Sequence, residues 1–312
     1  MRAGLITGLL LLCVVIAVGA HFGKGEEFAK LVQAAKPQWL GVALLLQAAT
    51  YVCAGAVWSR ALTRQGHHRP LLQMVRLGIV KVFMDQAVPS AGISGNVLVA
   101  RGLGRRGMSH RNAVATVLAG LISFYIANGL AVAGTLVILW VTGRVSRFIA
   151  ILATVFTIVL AVFLSGLLWV TRGRKWVPRW IRKIGALKTF LSAVGDHPPH
   201  VVRDSAFFTE AAALQLALIA LDAATLWAVL QSLGATIPAV GVFASYTMAS
   251  VVAMLSLLPG GLGTFDGTAI AMLRAFRVPI EAAVAATVLL RGFTFILPLV
   301  PGFWLARSEA VK

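Results

Sequence analysis

Six stretches of the sequence run for 16 to 29 residues with few or no charged side chains. At 1.5 Å rise per residue, a helix of about 20 residues crosses the roughly 30 Å hydrocarbon core of a bilayer. Only 12% of the residues are charged, against roughly 25% in an ordinary soluble domain. The sequence therefore predicts an all-α fold, a polytopic membrane helical bundle. The predicted spans are Leu5–Ala20, Trp39–Trp58, Ala113–Val141, Phe148–Val170, Ala206–Leu230 and Ala282–Ala306.

The basic residues lie in short loops between the apolar stretches. The formal net charge is +18, but no basic stripe is interleaved with aromatic residues, so we expect no nucleic-acid partner. Loops rich in lysine and arginine face the cytoplasm, which predicts that both termini are cytoplasmic. The first apolar stretch has an alternative interpretation as a cleaved signal peptide ending near Ala20. The loops predicted to be cytoplasmic carry Arg60, Arg64 and Arg69, then Arg101, Arg105, Arg106 and Arg111, then the stretch Arg172–Arg203, then Arg307 and Lys312.

Two further apolar stretches, Leu71–Ala100 and Val240–Phe276, each contain a cluster of proline and glycine. The first cluster is at 89–95 and the second at 259–267. Proline removes a backbone donor, and glycine costs about 1 kcal/mol in a helix interior, so each helix should break there. An even number of crossings then requires both stretches to enter the membrane and to leave on the side from which they came. We therefore predict two re-entrant hairpins, with their turns buried in protein or lining a wet cavity.

The two hairpin regions resemble each other at an offset of roughly 170 residues, with Pro89 matching Pro259 and Gly95 matching Gly267. This predicts an inverted repeat of halves 1–142 and 143–312 in a single membrane domain, a plan that recurs in alternating-access transporters. The alternative is that apolar helices with proline-glycine kinks resemble each other by composition.

A few ionisable residues fall inside the apolar stretches, where each costs at least about 2.5 kcal/mol. Lys81 and Asp85 share a helix face and could pair, and Asp222 should lie deep in its span. We interpret Lys81, Asp85 and Asp222 as candidates for ion or proton coupling, with simple charge neutralisation as the alternative. Asp266 and Arg291 are the other deep charges, and Asp266 and Glu281 are the candidate partners of Arg291.

Catalytic and metal-binding motifs are not recognisable in the sequence. There is no HExxH, GxSxG or phosphate-binding loop, and Cys13 and Cys53 lack any metal-ligand spacing. We therefore expect no enzymatic activity, no cofactor and no metal.

The residues around both breaks resemble one protein family. Leu258–Asp266, then Val278–Ala283 and Leu290–Phe295, and in the first half Pro89–Gly95, Ala100–Leu103 and Arg105–Ser109, are similar to the transmembrane, flippase-like region of lysylphosphatidylglycerol synthases. The resemblance implies a bacterial inner-membrane protein that moves phospholipids between leaflets, and Arg101, Asp266 and Arg291 as functional positions. Asp266 stands where many relatives are expected to have glutamate. No aminoacyl-transferase domain follows the last span, so the expected lipid is a phospholipid or a related, hopanoid-type lipid rather than a product made by this chain.

The sequence thus predicts a lipid flippase or lipid transporter in the inner membrane. The alternatives are a secondary transporter of a small solute or ion, and a non-transporting scaffold for lipid biosynthesis. A second copy of the chain and lipid-biosynthesis proteins are further candidate partners. The residues expected to bind substrate are Arg101, Asp266 and Arg291, with the turn residues Pro89, Gly92, Gly95, Pro259, Gly260, Gly261 and Gly263.

Overall fold

The computed structural model describes residues 33–87, 93–143, 204–256 and 258–299, with the isolated positions 151, 154–158, 161, 301–302 and 304–305. Within these ranges all regular structure is helical, which confirms the predicted all-α class. The predicted span Leu5–Ala20 and most of Phe148–Val170 lie outside the described residues.

Eight α-helices are described, and a 3-10 turn and a π-helical turn interrupt the last third of the chain. The 3-10 turn, Pro259–Gly261, precedes α7, and the π-helical turn, Gly292–Ile296, follows α8. The helices are α1 (Pro37–Thr63), α2 (Leu71–Ala87), α3 (Ile93–Arg105), α4 (His110–Val141), α5 (Ser205–Ser232), α6 (Ala239–Leu255), α7 (Thr264–Ala275) and α8 (Ile280–Arg291).

Four helical segments are long and apolar enough to cross a membrane: α1, α4, α5 and the continuous stretch Ile280–Leu299. Large apolar side chains on them, such as Leu45 and Trp140, are well exposed. Soluble proteins rarely leave so much contiguous apolar surface uncovered, whereas lipid solvates it. Local signals set the helix starts: Ser109 and Asp204 accept hydrogen bonds from the backbone N–H groups of Asn112 and Phe207.

Helices α1 and α5 pack against each other as an antiparallel pair. At one end, Arg64 donates hydrogen bonds to the carboxylates of Asp204 (3.0 Å) and Glu210 (2.8 Å). At the other end, the Lys36 backbone N–H donates to the Ser232 carbonyl at 2.9 Å. The pair therefore defines two ends of the bundle, which we call the Arg64 end and the Lys36 end.

The first hairpin, α2 with α3, opens toward the Arg64 end. Arg69, just before α2, donates to the Arg106 carbonyl just after α3 at 2.6 Å. Along the hairpin, Gly102 lies directly against Leu77, where a Cβ on the glycine would be 2.7 Å from Leu77 Cδ1. Helix α2 is described to Ala87 and α3 from Ile93, and residues 88–92, which contain Pro89 and Gly92, lie outside the described part of the chain.

The second hairpin, α6 with α7, opens toward the Lys36 end. Gly241 at the start of α6 lies against the ring of Phe276, which directly follows α7. Phe276 also belongs to an apolar cluster with Leu139, which is near the end of α4. Since α4 begins near the Arg64 end, where Thr116 bonds Gln65, its last turns lie at the opposite end. The two hairpins therefore open toward opposite ends of the bundle. That they are re-entrant in the membrane and that they arose by duplication stay predictions.

The two hairpins also meet inside the fold. Helix α2 contacts the 3-10 turn of the second hairpin, and Phe83 in α2 packs against Gly302, beyond the last described span. The first hairpin is thus adjacent to the break in the second.

Candidate functional site

The break in the second hairpin lies where the proline-glycine cluster predicts it. Helix α6 ends at Leu255, and the chain then passes through the 3-10 turn before α7 begins at Thr264. Gly260, Gly261 and Gly263 have φ values of 61°, 62° and 76°. This left-handed region is readily adopted by glycine and disfavoured for other residues. We refer to Ser256–Gly263 as the second turn.

Arg291, the last residue of α8, binds the second turn through its guanidinium group. Its Nη1 donates to the Gly260 carbonyl at 2.9 Å, and its Nη2 donates to the Gly261 carbonyl at 3.1 Å. Its Nε donates to Asp266 Oδ1 at 2.8 Å. One side chain therefore connects the end of α8 to the backbone of the break and to the first turn of α7.

Asp266 has two roles at the start of α7. Its Oδ2 accepts a hydrogen bond from the Gly263 backbone N–H at 2.9 Å, which caps the helix. Its Oδ1 receives the Arg291 Nε, and both side chains are largely removed from solvent, with 11% of Arg291 and 16% of Asp266 exposed. A largely buried ion pair has a high desolvation cost, so removing either partner leaves an uncompensated charge.

An aromatic ring and an irregular helical turn complete this site. The Arg291 Cζ lies 4.4 Å from the centroid of the Phe265 ring, a cation–π contact. The helix after Arg291 continues as the π-helical turn. Such turns occur often at functional sites because they place one side chain out of the regular register.

The second turn directs backbone carbonyls at a cation, because the oxygens of Gly260 and Gly261 both accept from Arg291. The amides of Gly261 and Gly263 are engaged, by the Leu258 carbonyl and by Asp266. In this conformation the second turn therefore presents acceptors to a cation. The physical reason is that Arg291 reaches the break and its donors need acceptors.

A second buried polar cluster involves Asp222 in α5. Its carboxylate accepts a hydrogen bond from the Tyr246 hydroxyl of α6 at 2.8 Å. From α1, the side chains of Gln47 and Tyr51 face the same carboxylate. We call Asp222, Tyr246, Gln47 and Tyr51 the polar cluster. The Tyr246 ring contacts the Phe265 ring edge to face at 5.7 Å, so the polar cluster is connected to the Arg291 site.

The remaining predicted site residues lie elsewhere or outside the described residues. Arg101 is an exposed side chain, eight residues into α3 and so about 12 Å along its axis. It lies near the open end of the first hairpin, whereas Arg291 lies at the break of the second. Pro89, Gly92 and the side chains of Asp85 and Pro259 lie outside what the structure describes, while Lys81 lies in α2 and Gly95 is buried in α3.

Several residues of the site were not predicted from the sequence. Phe265 and Tyr246 are aromatic residues in apolar helices and carry no distinctive signal. Gln47 and Tyr51 are polar groups inside a predicted span, and this is the signal that could have identified them. Glu281, a candidate partner of Arg291, lies in the first turn of α8, nearly three turns before it. Within the described ranges, no group of three or more histidine, cysteine or acidic side chains is placed to hold a metal ion.

The fold and the site together define a helical membrane protein with two helical hairpins and a largely buried charge pair at the break of the second. The chain matches the family described as the lysylphosphatidylglycerol synthase TM region over residues 5–302. It therefore belongs to that family, as the resemblance of the turn sequences predicted. A UPF0104 membrane protein of Methanocaldococcus jannaschii is 34% identical over 82 residues, which cover 26% of this chain and 24% of that protein. The match thus spans about a quarter of that relative's length.

Proposed function

We propose that this protein moves a lipid with a phosphate-bearing head group between the leaflets of the bacterial inner membrane. The observation that carries the proposal is the Arg291 guanidinium, held almost out of water at a helix break within a membrane bundle. Membership of a family described as a lysylphosphatidylglycerol synthase TM region supports a lipid-related role.

The physical difficulty of lipid translocation is the head group, because a phosphate loses its hydration in hydrocarbon. A fixed guanidinium can replace part of that water, since its planar donors match two phosphate oxygens at once. In the described conformation those donors are occupied by Asp266 and by two carbonyls. A phosphate would therefore bind by displacing them.

Displacement would also change the backbone. Arg291 holds the Gly260 and Gly261 carbonyls in place, so its release removes the side-chain bonds that connect the break to α8. The second turn is then free to move relative to α2, which contacts it. Binding of the head group and rearrangement of the hairpins are coupled in this way, as alternating access requires.

The proposal is tested with purified protein in proteoliposomes that contain fluorescent phosphatidylglycerol, phosphatidylethanolamine or phosphatidylcholine. We expect translocation above that of protein-free vesicles for at least one of these lipids. No translocation of any of them, together with proton-driven uptake of a soluble solute, would establish the second candidate instead. That candidate, a secondary transporter, is favoured by the buried carboxylate of Asp222. Absence of both activities would favour the third candidate, a non-transporting scaffold for lipid biosynthesis.

The proposed topology is tested by cysteine accessibility, in a background lacking the native Cys13 and Cys53. We expect His68→Cys and His110→Cys, which flank the first hairpin, to react from the cytoplasmic side. Thr236→Cys and Ala275→Cys flank the second hairpin, and we expect both to react from the other side. All four positions are exposed. If the two cysteines flanking either hairpin reacted from opposite sides, that hairpin would be a full crossing.

A further inference from the structure

We propose that Asp222 is a proton-binding site of the membrane bundle, coupled through Tyr246 and Phe265 to the Arg291–Asp266 pair. The coupling to transport rests on the proposed function. The proton site does not, since it follows from the polar cluster alone.

Within the described part of the chain, the polar cluster contains three buried oxygens without a hydrogen-bond partner. Asp222 is 8% exposed, and its Oδ2 accepts from Tyr246 while its Oδ1 is one of the three. The other two are the Gln47 Oε1 and the Tyr51 hydroxyl. One N–H of the Gln47 amide donates to Thr50 Oγ1 at 3.0 Å. Buried polar atoms nearly always have partners, so three orphaned oxygens in one cluster require an explanation.

A proton on Asp222 Oδ1 gives the carboxyl group a hydrogen to donate, in addition to the hydroxyl hydrogen that Tyr51 already carries. The resulting O–H can donate to the Gln47 Oε1 or to the Tyr51 hydroxyl, which both lie on the α1 face opposite Asp222. The same proton neutralises the carboxylate. An ionised carboxylate buried without a counter-charge would cost several kcal/mol. A divalent cation does not fit this cluster, because it prefers six or more oxygen ligands and usually more than one carboxylate.

Among the described residues, the groups that face Asp222 from the neighbouring helices do not provide a counter-charge in direct contact. Helix α1 presents a neutral amide and a phenol, and α6 presents the Tyr246 phenol. Arg291 of α8 lies on the far side of the Tyr246 and Phe265 rings and is paired with Asp266. The other titratable groups on the helices that pack against α5 are Tyr125, His110 and Arg111 in α4, Cys53 and Arg60 in α1, and Glu281 in α8.

A continuous series of contacts connects this carboxylate to the Arg291 site. Asp222 holds the Tyr246 hydroxyl at 2.8 Å, the Tyr246 ring contacts Phe265, and Phe265 lies beneath the Arg291 guanidinium. An ionised Asp222 binds the hydroxyl more strongly than a neutral one, and its charge attracts Arg291. Loss of the proton thus changes the forces on the Tyr246 ring and on the Arg291 guanidinium. The proposed transport cycle requires this guanidinium to be released from Asp266 and the second turn.

The proton site is tested by infrared difference spectroscopy of the purified protein, titrated from acid to alkaline pH. We expect a carbonyl band of a protonated carboxylic acid that disappears as the pH is raised and is absent in Asp222→Asn. The matched control, Asp266→Asn, should keep the band. Tyr246→Phe removes one hydrogen bond to the same group and should shift the band, which provides a second variant if Asp222→Asn does not fold. A spectrum without an Asp222-dependent band at any pH would overturn the proton site.

The coupling is tested by the pH dependence of lipid translocation in proteoliposomes. A single proton changes a rate by at most about tenfold per pH unit, and we expect a dependence of this kind in the wild type and its loss in Asp222→Asn. Equal pH dependence in both proteins would overturn the coupling. A titrating Asp222 band in a protein that moves no lipid would refute the proposed function but not the proton site. Lipid transport by a protein without this band would refute the proton site but not the proposed function.

Discussion

Replacing Arg291 with alanine is expected to abolish lipid translocation and to lower the free energy of unfolding by about 3–5 kcal/mol. The substitution leaves Asp266 as an unpaired carboxylate with 16% of its side chain exposed. It also removes the donors from the Gly260 and Gly261 carbonyls and the cation from the Phe265 ring. The guanidinium proposed to bind the phosphate is lost in the same change, so activity and stability should fall together.

The measurements are translocation in proteoliposomes and thermal unfolding in detergent, with Arg64→Ala as the matched control. Arg64 also bonds two carboxylates, but it is 34% exposed, and Asp204 and Glu210 are 27% and 40% exposed. An exposed pair of this kind contributes about 1 kcal/mol or less, so the control should insert, fold and transport like the wild type. Transport by Arg291→Ala at the wild-type rate would remove this residue from the mechanism.

Two further variants distinguish the contribution of Arg291 to the stability of the protein from its role in transport. The double variant Arg291→Ala with Asp266→Ala removes both charges, so we expect it to recover much of the lost stability while remaining inactive. Arg291→Lys keeps the positive charge but loses the planar set of donors. It should retain partial activity at most, because an ammonium group cannot bind both turn carbonyls and Asp266 in the same geometry.

Replacing Gly261 with alanine is expected to destabilise the protein by about 2–5 kcal/mol, with a corresponding fall in melting temperature. The residue has a φ of 62°, and a side chain in the left-handed region costs about 1–2 kcal/mol. Its Cβ would also collide with the Ala253 Cβ of α6, and overpacking adds about 1–3 kcal/mol. Because the Gly261 carbonyl is bound by Arg291, displacement of the turn should reduce translocation as well.

Gly267→Ala is the matched control for this prediction. Gly267 lies in α7, its φ is not positive, and a Cβ there would meet no atom within 4 Å. Alanine favours a helix over glycine by about 1 kcal/mol, so this variant should melt at or above the wild-type temperature. Equal melting of Gly261→Ala and Gly267→Ala would mean that the second turn does not have the described backbone.

The helix positions were largely predictable because the signals that set them are local. The predicted span Ala113–Val141 corresponds to α4 at His110–Val141, and Ala206–Leu230 corresponds to α5 at Ser205–Ser232. The second break follows from Pro259 and its glycines, since a missing donor and a left-handed backbone act within a few residues. The pairing of Arg291 with Asp266 was one of two alternatives that the sequence left open, and only the fold distinguished Asp266 from Glu281.

The sequence by itself determined that this chain is a membrane bundle of the family it matches, with helices interrupted at a proline-glycine turn. The tertiary structure decided which side chains meet: Arg291 with the Gly260 and Gly261 carbonyls, and Asp222 with Tyr246. The reason is that the spanning helices are apolar on nearly every face, so no amphipathic period marks the face that turns inward. Contacts between residues 24 or more positions apart then depend on how the helices pack, which hydropathy along the chain does not encode.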